Sequence, residues 1–307
     1  MRLVIALGGN ALLKKGQKGL FEEHIENLSR IAPSIVKISL GNEVVITHGN
    51  APQVGFIYYQ QEISAGRAPF MPLHACVAMS QGLIGYMLQQ SITQAAKTMG
   101  VHIEVVSLIS RVLVEKDDPA FKTPTKPIGP YYRKKEALEL LRKRRWAMKE
   151  VERGWRRVVP SPEPKQILEL GTIANLLKKR RVVVAVGGGG IPVVVDDRLK
   201  GIDAVIDKDL ASALLAIEIG ADELAILTDV NGVYVNYGKT SQRLLREVSV
   251  NELEKYLSQG HFPPGSMGPK VKAAIIFTRR TGKRTIIGPL ERLEEVISGE
   301  KGTIVLP

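Results

Sequence analysis

Three short apolar segments of this 307-residue chain each run directly into a glycine-rich loop. The loops read ALGGN (6–10), THGNAPQVG (47–55) and AVGGGGIPV (185–193), and they follow predicted strands at 3–7, 43–50 and 182–186. Short, continuous apolar runs are typical of strands buried on both faces of a parallel sheet. Ligands of such sheets bind at the carboxyl ends of the strands, where glycines let backbone N–H groups approach an anion. One glycine loop could serve only a tight turn, but three together favour an anion-binding site.

The rest of the chain alternates between helical and extended patterns. Helices are predicted at 21–40, 52–66, 72–99, 163–179, 210–219, 270–281 and 290–298, and further strands at 103–109, 223–228, 284–288 and 303–306. This alternation implies an α/β fold, a mainly parallel sheet with helices on both faces. The chain length suits about two lobes, at about 150 residues for each domain.

One basic segment interrupts the alternation. Residues 117–160 include five prolines around a short helical run, and we interpret them as an inserted lid subdomain. Within them, 122–157 hold 13 Lys and Arg against four Glu, which is +9 of the formal net charge of +12. Aromatic residues in the segment could stack on bases, so a nucleic-acid-binding protein is an alternative. That alternative leaves the glycine loops unexplained, and a general polyanion binder would carry its basic surface across the whole fold.

Several other classes are excluded by composition and spacing. Cys76 is the single cysteine, so no internal disulfide can form, and no Cys/His spacing resembles a zinc site. The apolar run at the N-terminus is too short for a signal peptide and no segment reaches transmembrane length, so we expect a cytoplasmic protein with no membrane partner. Five residues separate Gly232 from Gly238-Lys239-Thr240, whereas a P-loop requires four. We therefore predict a turn at Gly238-Lys239-Thr240.

Lysines beside carboxylates are the candidates for chemistry. The segment IDKDLAS puts Lys208 between Asp207 and Asp209 at a strand end and helix start, and GSMGPK puts Lys270 just inside another helix. A lysine held by a neighbouring carboxylate suits phosphoryl transfer. Asp207 could equally cap its helix, and Lys270 could equally be a solvated surface lysine. His48 lies inside a glycine loop, and we expect it to orient that loop.

Eight segments in order resemble the carbamate kinases, a branch of the amino-acid kinase family, over essentially the whole chain. They are ALGGNAL, THGNAPQVG, PTKPIGP, VVPSPEP, GGGGIPV, IDKDLAS, LTDVNGVY and GSMGPK. The resemblance implies a homodimer with a three-layer α/β/α sandwich, a mainly parallel central sheet and a small protruding lid subdomain. It divides the chain into an acceptor lobe (1–116 and 161–180), the basic lid (117–160) and a nucleotide-binding lobe (181–307).

The implied reaction is reversible: ATP and carbamate give ADP and carbamoyl phosphate, with Mg²⁺ accompanying the nucleotide. The implied catalytic residues are Lys126, Lys208, Asp209 and Lys270. Carbamate and the γ-phosphate would be bound by Gly8, Gly9, Asn10, Gly49, Asn50, Ala51, Gly188 and Gly189. The nucleotide would be bound by Asp207, Thr228, Asp229, Tyr234, Ser266 and Met267. The resemblance implies no direct protein ligand for the metal.

The chemistry agrees with this assignment, because carbamate is already an anionic nucleophile and needs no general base. Lysines, Mg²⁺ and backbone donors would offset the charge on the transferring group. Family members that phosphorylate carboxylates usually carry a lysine two residues before the first Gly-Gly. That position is Ala6 here, which disfavours the alternative of another acylphosphate-forming kinase such as acetylglutamate kinase.

One position departs from the family pattern. Ala51 stands where the second glycine of the loop H-G-N-G-P-Q-V-G is normal. A positive φ at this position would strain alanine by about 1 kcal/mol. The methyl group could also crowd the substrate.

Overall fold

A computed structural model describes residues 1–14, 16–144, 146–151, 154–178 and 181–307, without the side chain of Asn10. The strands are β1 (Arg2–Leu7), β2 (Glu43–His48), β3 (Val105–Ser107), β4 (Arg111–Leu113), β5 (Lys126–Tyr132), β6 (Met148–Val151), β7 (Gly154–Val159), β8 (Gln166–Ile167), β9 (Val182–Val184), β10 (Ile191–Val195), β11 (Leu199–Gly201), β12 (Glu223–Thr228), β13 (Val233–Val235), β14 (Arg243–Leu245), β15 (Glu247–Ser249), β16 (Thr285–Pro289) and β17 (Thr303–Leu306). The α-helices are α1 (Phe21–Gly41), α2 (Ala51–Ile63), α3 (Leu73–Thr98), α4 (Lys134–Arg144), α5 (Leu170–Leu177), α6 (Lys208–Glu218), α7 (Val250–Ser258), α8 (Met267–Thr281) and α9 (Leu293–Ser298).

The central sheet is mainly parallel, as predicted, with the strand order β15–β17–β16–β12–β1–β2–β9–β3. From β16 to β3 every neighbouring pair is parallel, while β17 runs antiparallel to β16 and β15 follows β17. All six residues of β12 and the last five of β1 are buried. Burial on both faces explains why these strands are continuous apolar runs.

Helices cover both faces of this sheet. Successive side chains of a strand point to opposite faces. In β1, Leu3, Ile5 and Leu7 join a core with α1 and α3, whereas Val4 and Ala6 join a second core with α6 and α8. The chain is therefore a three-layer α/β/α sandwich, and the predicted fold class is confirmed.

Residues 126–159 form a separate unit, called the insert below. It consists of the antiparallel sheet β5–β7–β6 and helix α4. The sequence pattern predicts its helical run but none of its three strands. Pro127 and Pro130 make the β5 sequence look unlike a strand. Proline is tolerated there because β5 is an edge strand of the small sheet.

The predicted helix at 163–179 is wrong in its first half. The structure has the short strand β8 there and begins α5 only at Leu170. Pro162 and Pro164 favour extended backbone in the residues before them, and β8 completes a second sheet, β11–β10–β4–β8. Strands β10 and β11 of that sheet have no counterpart among the predicted elements.

The turn predicted at Gly238-Lys239-Thr240 is confirmed. These residues lie in the loop of the hairpin β13–β14, where Gly238 has φ +80° and donates to the Gln242 side chain at 2.8 Å. They open no helix and do not form a phosphate-binding loop.

Among the described residues, none of the helices combines the length and the apolar character that a membrane span requires.

Candidate active site

The three glycine loops converge on one edge of the central sheet. Strands β12, β1, β2 and β9 are parallel neighbours, so their carboxyl ends lie side by side. A Cβ atom on Gly49 would lie 3.7 Å from both the backbone nitrogen of Gly9 and Cδ of Lys208. A Cβ atom on Gly188 would lie 2.1 Å from Nδ2 of Asn50. The first, second and third loops therefore lie together beside Lys208, and the approach of Asn50 requires glycine at position 188.

Two lysines from different helices share one carboxylate at this edge. Asp207 is the N-cap of α6, where its Oδ1 accepts the N–H of Asp209 at 2.9 Å. In the first turn of α6, Oδ1 of Asp209 accepts a hydrogen bond from Nζ of Lys208. Its Oδ2 accepts one from Nζ of Lys270, in the first turn of α8, at 2.9 Å. The N-cap therefore places the carboxylate that holds both ammonium groups.

Lys208, Asp209 and Lys270 form a charged triad, and burial and their mutual interactions determine the pKa of each group. Burial favours the neutral acid, but the two ammonium groups outweigh it and hold the pKa of Asp209 well below its usual range. Burial lowers the pKa of Lys208 to about 8, against the pull of Asp209 and helped by the nearby charge of Lys270. Burial also lowers the pKa of Lys270, but the negative charge of Asp209 outweighs this effect, so the pKa of Lys270 is raised. The triad holds two cations against one anion, which leaves a net positive charge.

A third lysine enters from the insert. Nζ of Lys126, the first residue of β5, donates to Oδ2 of Asp207 at 2.5 Å. Asp207 therefore accepts from the helix N-terminus with one oxygen and from Lys126 with the other. Residues far apart in the sequence, Lys126, Lys208 and Lys270, thus meet at two adjacent carboxylates.

The four-glycine loop is held by buried polar groups. Nε2 of Gln81 donates to the carbonyls of Ser110 and Gly187 at 3.1 and 2.9 Å, and Oγ of Ser110 accepts the N–H of Val186 at 3.0 Å. Val186 is fully buried with φ +53°, a left-handed conformation that costs a β-branched residue about 1–3 kcal/mol. Such strain persists where the surroundings determine the backbone, as the side chains of Gln81 and Ser110 do here.

His48 supports the second glycine loop, as expected. Its Nδ1–H donates to the carbonyl of Gly49 at 3.0 Å. Burial lowers the pKa of His48 to about 4, and the charge of Lys208 adds to this effect, so the imidazole is neutral at pH 7. A Cβ atom on Gly187 would lie 2.3 Å from Nε2 of His48, so the ring also requires glycine in the third loop.

Two cavities meet at Lys270. The larger, of about 500 Å³, is lined by Gly8, Gly9, Thr228, Asp229, Tyr234, Tyr237, His261, Phe262, Pro263, Ser266, Met267 and Lys270, among others. The smaller, of about 150 Å³, is lined by Gly9, Gly49, Asn50, Ala51, Lys126, Gly188, Asp207, Lys208, Asp209, Ser266 and Lys270, among others. Gly9, Ser266 and Lys270 line both, so the lysine stands at the boundary of two adjoining spaces.

Most of the predicted site residues line one of these cavities, with three differences. Asp207, grouped with the nucleotide-binding residues on the sequence, lines the smaller cavity and pairs with Lys126. Gly8, expected beside carbamate and the γ-phosphate, lines the larger cavity. Gly189 packs against the chain instead, because its Cβ atom would lie 2.4 Å from the carbonyl oxygen of Ile206. The side chain of Asn10 lies outside the described residues.

Ala51 is the first residue of α2 and lines the smaller cavity. Among the described residues other than glycine, positive φ occurs only at Val186 and Asn236. The strain considered for Ala51 is therefore not present. Its methyl group still belongs to the wall of the smaller cavity.

The wall of the larger cavity also contains residues that the sequence pattern does not assign to the site, including four with ring or large apolar side chains. These are Tyr237, His261, Phe262 and Leu290. They come from the hairpin β13–β14, the loop before α8 and the segment after β16. None of the four belongs to a quoted motif, and tertiary folding brings Tyr237, the adjacent pair His261 and Phe262, and Leu290 to one wall.

A preformed protein site for a metal is not evident in the described ranges. No group of three or more His, Cys, Asp or Glu there is arranged to hold an ion. Asp229 lines the larger cavity and accepts a hydrogen bond from Oγ1 of Thr228 at 3.2 Å. An oxygen-preferring cation would find carboxylates here but would need most of its ligands from elsewhere.

Comparison with known proteins identifies relatives over the full length. The model of the amino acid kinase family matches residues 1–289. The carbamate kinase of Pyrococcus horikoshii is 50% identical over 100% of this chain and 99% of its own, and that of Thermoplasma acidophilum is 51% identical over 99% of each.

Solved structures agree in fold. The carbamate kinase from Giardia lamblia bound to AMP-PNP has a TM-score of 0.92 and 43% identity, covering 99% of this chain and 98% of its own. A more distant likeness, to N-acetylglutamate synthase from Neisseria gonorrhoeae, has a TM-score of 0.59 at 14% identity over 100% of this chain and 59% of the other. That second likeness extends to the fold alone.

Proposed function

Because this chain belongs to the amino-acid kinase family and, within it, to the carbamate kinases, we propose that it transfers a phosphoryl group reversibly between ATP and carbamate. A carbamate oxygen forms a bond to the γ-phosphorus as the bond from that phosphorus to the bridging oxygen of ADP breaks. The products are carbamoyl phosphate and ADP. No proton has to move, so the reaction needs no general acid or general base.

The observation that carries this proposal is the pair Lys208 and Lys270 on the carboxylate of Asp209, where the two cavities adjoin. The transferring group carries negative charge, and it approaches a second anion. Fixed ammonium groups in a site of low polarity stabilise that charge without reorganising during the reaction. Asp209 is the residue that orients both lysines, and Lys270 lies at the boundary that the phosphoryl group would cross.

The two cavities suit the two substrates. Tyr234, Tyr237, Phe262 and Met267 give the larger cavity an apolar wall that suits the base of ATP. The related protein from Giardia lamblia was solved with AMP-PNP bound, which supports a nucleotide in this lobe. The smaller cavity has room for a carbamate ion, surrounded by the glycine loops and Lys126.

We propose Mg²⁺ as the cofactor, bound with the nucleotide. Mg²⁺ keeps several waters and takes substrate phosphate oxygens as ligands, so it needs few protein ligands. Asp229, in the wall of the larger cavity, is the carboxylate best placed to contact it or its waters. When bound, the ion would neutralise charge on the phosphates.

Neither alternative function is supported. The relatives at 50% and 51% identity are carbamate kinases, whereas the likeness to N-acetylglutamate synthase, at 14% identity, concerns the fold alone. The basic segment takes part in this site through Lys126 and does not require a nucleic-acid partner.

We assign the acceptor lobe to 1–116 and 161–180, the lid to 117–160 and the nucleotide lobe to 181–307.

A homodimer is proposed through α3, where Met79, Leu83 and Tyr86 are exposed on one face. Tyr86 also stacks on the exposed ring of Phe21, with ring centroids 6.1 Å apart. Sedimentation of the pure protein, with Tyr86→Glu as the disrupting variant, tests the dimer. Since the reaction uses ATP and ADP, we place the protein in the cytoplasm.

The direct test is ATP formation by pure protein from ADP, Mg²⁺ and carbamoyl phosphate. Acetyl phosphate serves as the comparison donor, and N-acetylglutamate with ATP tests the alternative acceptor. We expect rapid ATP formation from carbamoyl phosphate and little from acetyl phosphate. Equal rates with both donors, or activity with N-acetylglutamate alone, would reject the proposal.

A further inference from the structure

The insert is held against α2 by a close backbone contact. A Cβ atom on Gly55 of α2 would lie 2.0 Å from the backbone nitrogen of Gly129 in β5, so only glycine at 55 allows the two segments to approach. Val54 and Tyr58 of α2 share a core with Ile128 and Val159 of the insert. The insert therefore packs on the same helix that begins at Ala51, in the second glycine loop.

A buried arginine crosses the same boundary. Nη1 of Arg157, in β7, lies 3.2 Å from Oε1 of Glu62 in α2, and both side chains are largely buried. Cζ of Arg157 also lies 4.5 Å from the ring centroid of Tyr58 in α2 and 4.4 Å from that of Trp146 in the insert. Arg157 thus contacts α2 through one ion pair and one ring, and contacts its own insert through another ring.

Arg157 is connected to Lys126 by strand pairing. In the antiparallel register of β5 and β7, Arg157 lies opposite Ile128, and Lys126 lies opposite Val159. A displacement of β7 from α2 would therefore carry β5 and its first residue with it. In this docked arrangement Nζ of Lys126 donates to Oδ2 of Asp207 at 2.5 Å.

We propose that Arg157 is a positioning residue for the phosphoryl-transfer reaction: it docks the insert on α2 and thereby holds Nζ of Lys126 in the smaller cavity. The role of Lys126 in this inference rests on the proposed function, whereas the docking itself does not. A planar guanidinium can stack on a ring and form an ion pair simultaneously, and the compact ammonium of lysine cannot replace both contacts. The Arg157→Lys variant is therefore expected to dock its insert less tightly on α2, although it keeps the positive charge.

The chain offers a reporter that does not depend on activity. Its two tryptophans, Trp146 and Trp155, both lie in the insert. In a Trp155→Phe background the emission comes from Trp146 alone, which contacts Arg157. Acrylamide quenching of this emission measures the solvent accessibility of Trp146, which should increase when the insert separates from α2.

The experiment compares Arg157→Met, Arg157→Lys and Tyr58→Leu in that background with Lys143→Met. Lys143 is an exposed lysine of α4 whose loss changes the charge of the insert equally. We expect the first three variants to raise quenching of Trp146 and to raise the carbamate KM by about tenfold, with the ATP KM changed by less than about twofold. The Lys143→Met control should match the parent in all three measurements.

The Tyr58→Leu variant keeps Arg157 and lies outside the insert, so it tests docking even if the arginine variants fail to fold. Unchanged Trp146 quenching in folded Arg157→Met would overturn the docking. Increased quenching with an unchanged carbamate KM would overturn the positioning of Lys126. A parent protein inactive on carbamoyl phosphate would reject the proposed function, while the quenching result would still decide the docking.

Discussion

Lys208 and Lys270 bind opposite oxygens of the same carboxylate, although they lie in the first turns of different helices, α6 and α8. Each oxygen of Asp209 thereby accepts from one lysine, and the single negative charge offsets only one of the two ammonium groups. The surplus positive charge lies where the nucleotide cavity meets the smaller cavity. This relationship predicts how the two lysines respond to mutation and to pH.

Lys270→Ala is expected to reduce kcat by about 10²–10³-fold, because it removes a fixed cation beside the transferring group. Lys272→Ala is the matched control, since Lys272 lies on the same helix but pairs with Glu163 at the surface. Steady-state kinetics with circular dichroism of both variants checks the prediction. Near-normal turnover of folded Lys270→Ala would remove this lysine from the mechanism.

Lys126→Ala is expected to raise the carbamate KM more than the ATP KM, because Lys126 lines only the smaller cavity. Lys149→Ala, at an exposed position of β6, controls for the loss of a charge from the insert. Initial rates with each substrate varied in turn give both constants. Equal increases in the two KM values would contradict the assignment of Lys126 to the acceptor side.

The pH dependence should report Lys208, whose pKa burial lowers to about 8. The ammonium form is present below that pH and is lost as the pH rises, so kcat/KM is expected to fall above about pH 8, by up to about tenfold per pH unit. Lys208→Arg keeps the charge to far higher pH. The falling limb should therefore move out of range in that variant, and a limb that stays in place would belong to another group.

Ala51→Gly should leave kcat within about twofold of the parent and lower the stability by up to about 1 kcal/mol. Ala51 begins α2 without positive φ, so glycine relieves no backbone strain and only adds freedom to the unfolded chain. Thermal unfolding and carbamate kinetics measure the two effects. A large gain in kcat, or a lower carbamate KM, would show instead that the methyl group crowds the substrate.

Gly187→Ala should destabilise the fold by about 1–3 kcal/mol, since the added methyl overlaps the ring of His48. Gly171→Ala is the control, because a Cβ atom there meets nothing within 4 Å and the position lies in helix α5. Urea unfolding of both variants provides the comparison. A Gly187→Ala protein as stable as the parent would mean that His48 moves freely, contrary to its buried position.

Much of the scaffold was predictable, because it depends on local patterns. Strands such as β12 and β17 were predicted to the residue, since each contains a short apolar run that a strand of the central sheet buries at least in part. The insert was not, because its strands are short, partly exposed and interrupted by Pro127 and Pro130, which leaves no clear alternation. Likewise β8 could be assigned only from its pairing with β4, a contact between distant residues.

The amino-acid sequence by itself determined that glycine loops follow buried parallel strands and that Lys208 stands between two aspartates at a helix start. Both features depend on residues that are neighbours along the chain, so local sequence patterns are enough to predict them. Tertiary structure alone decided which acceptor each lysine meets: Lys126 pairs with Asp207, and Lys270 with Asp209. It also placed Arg157 against Glu62 and Tyr58. The physical reason is that ion pairs and ring contacts act over a few ångströms, and only the packing of sheet, helices and insert brings such distant residues within that range.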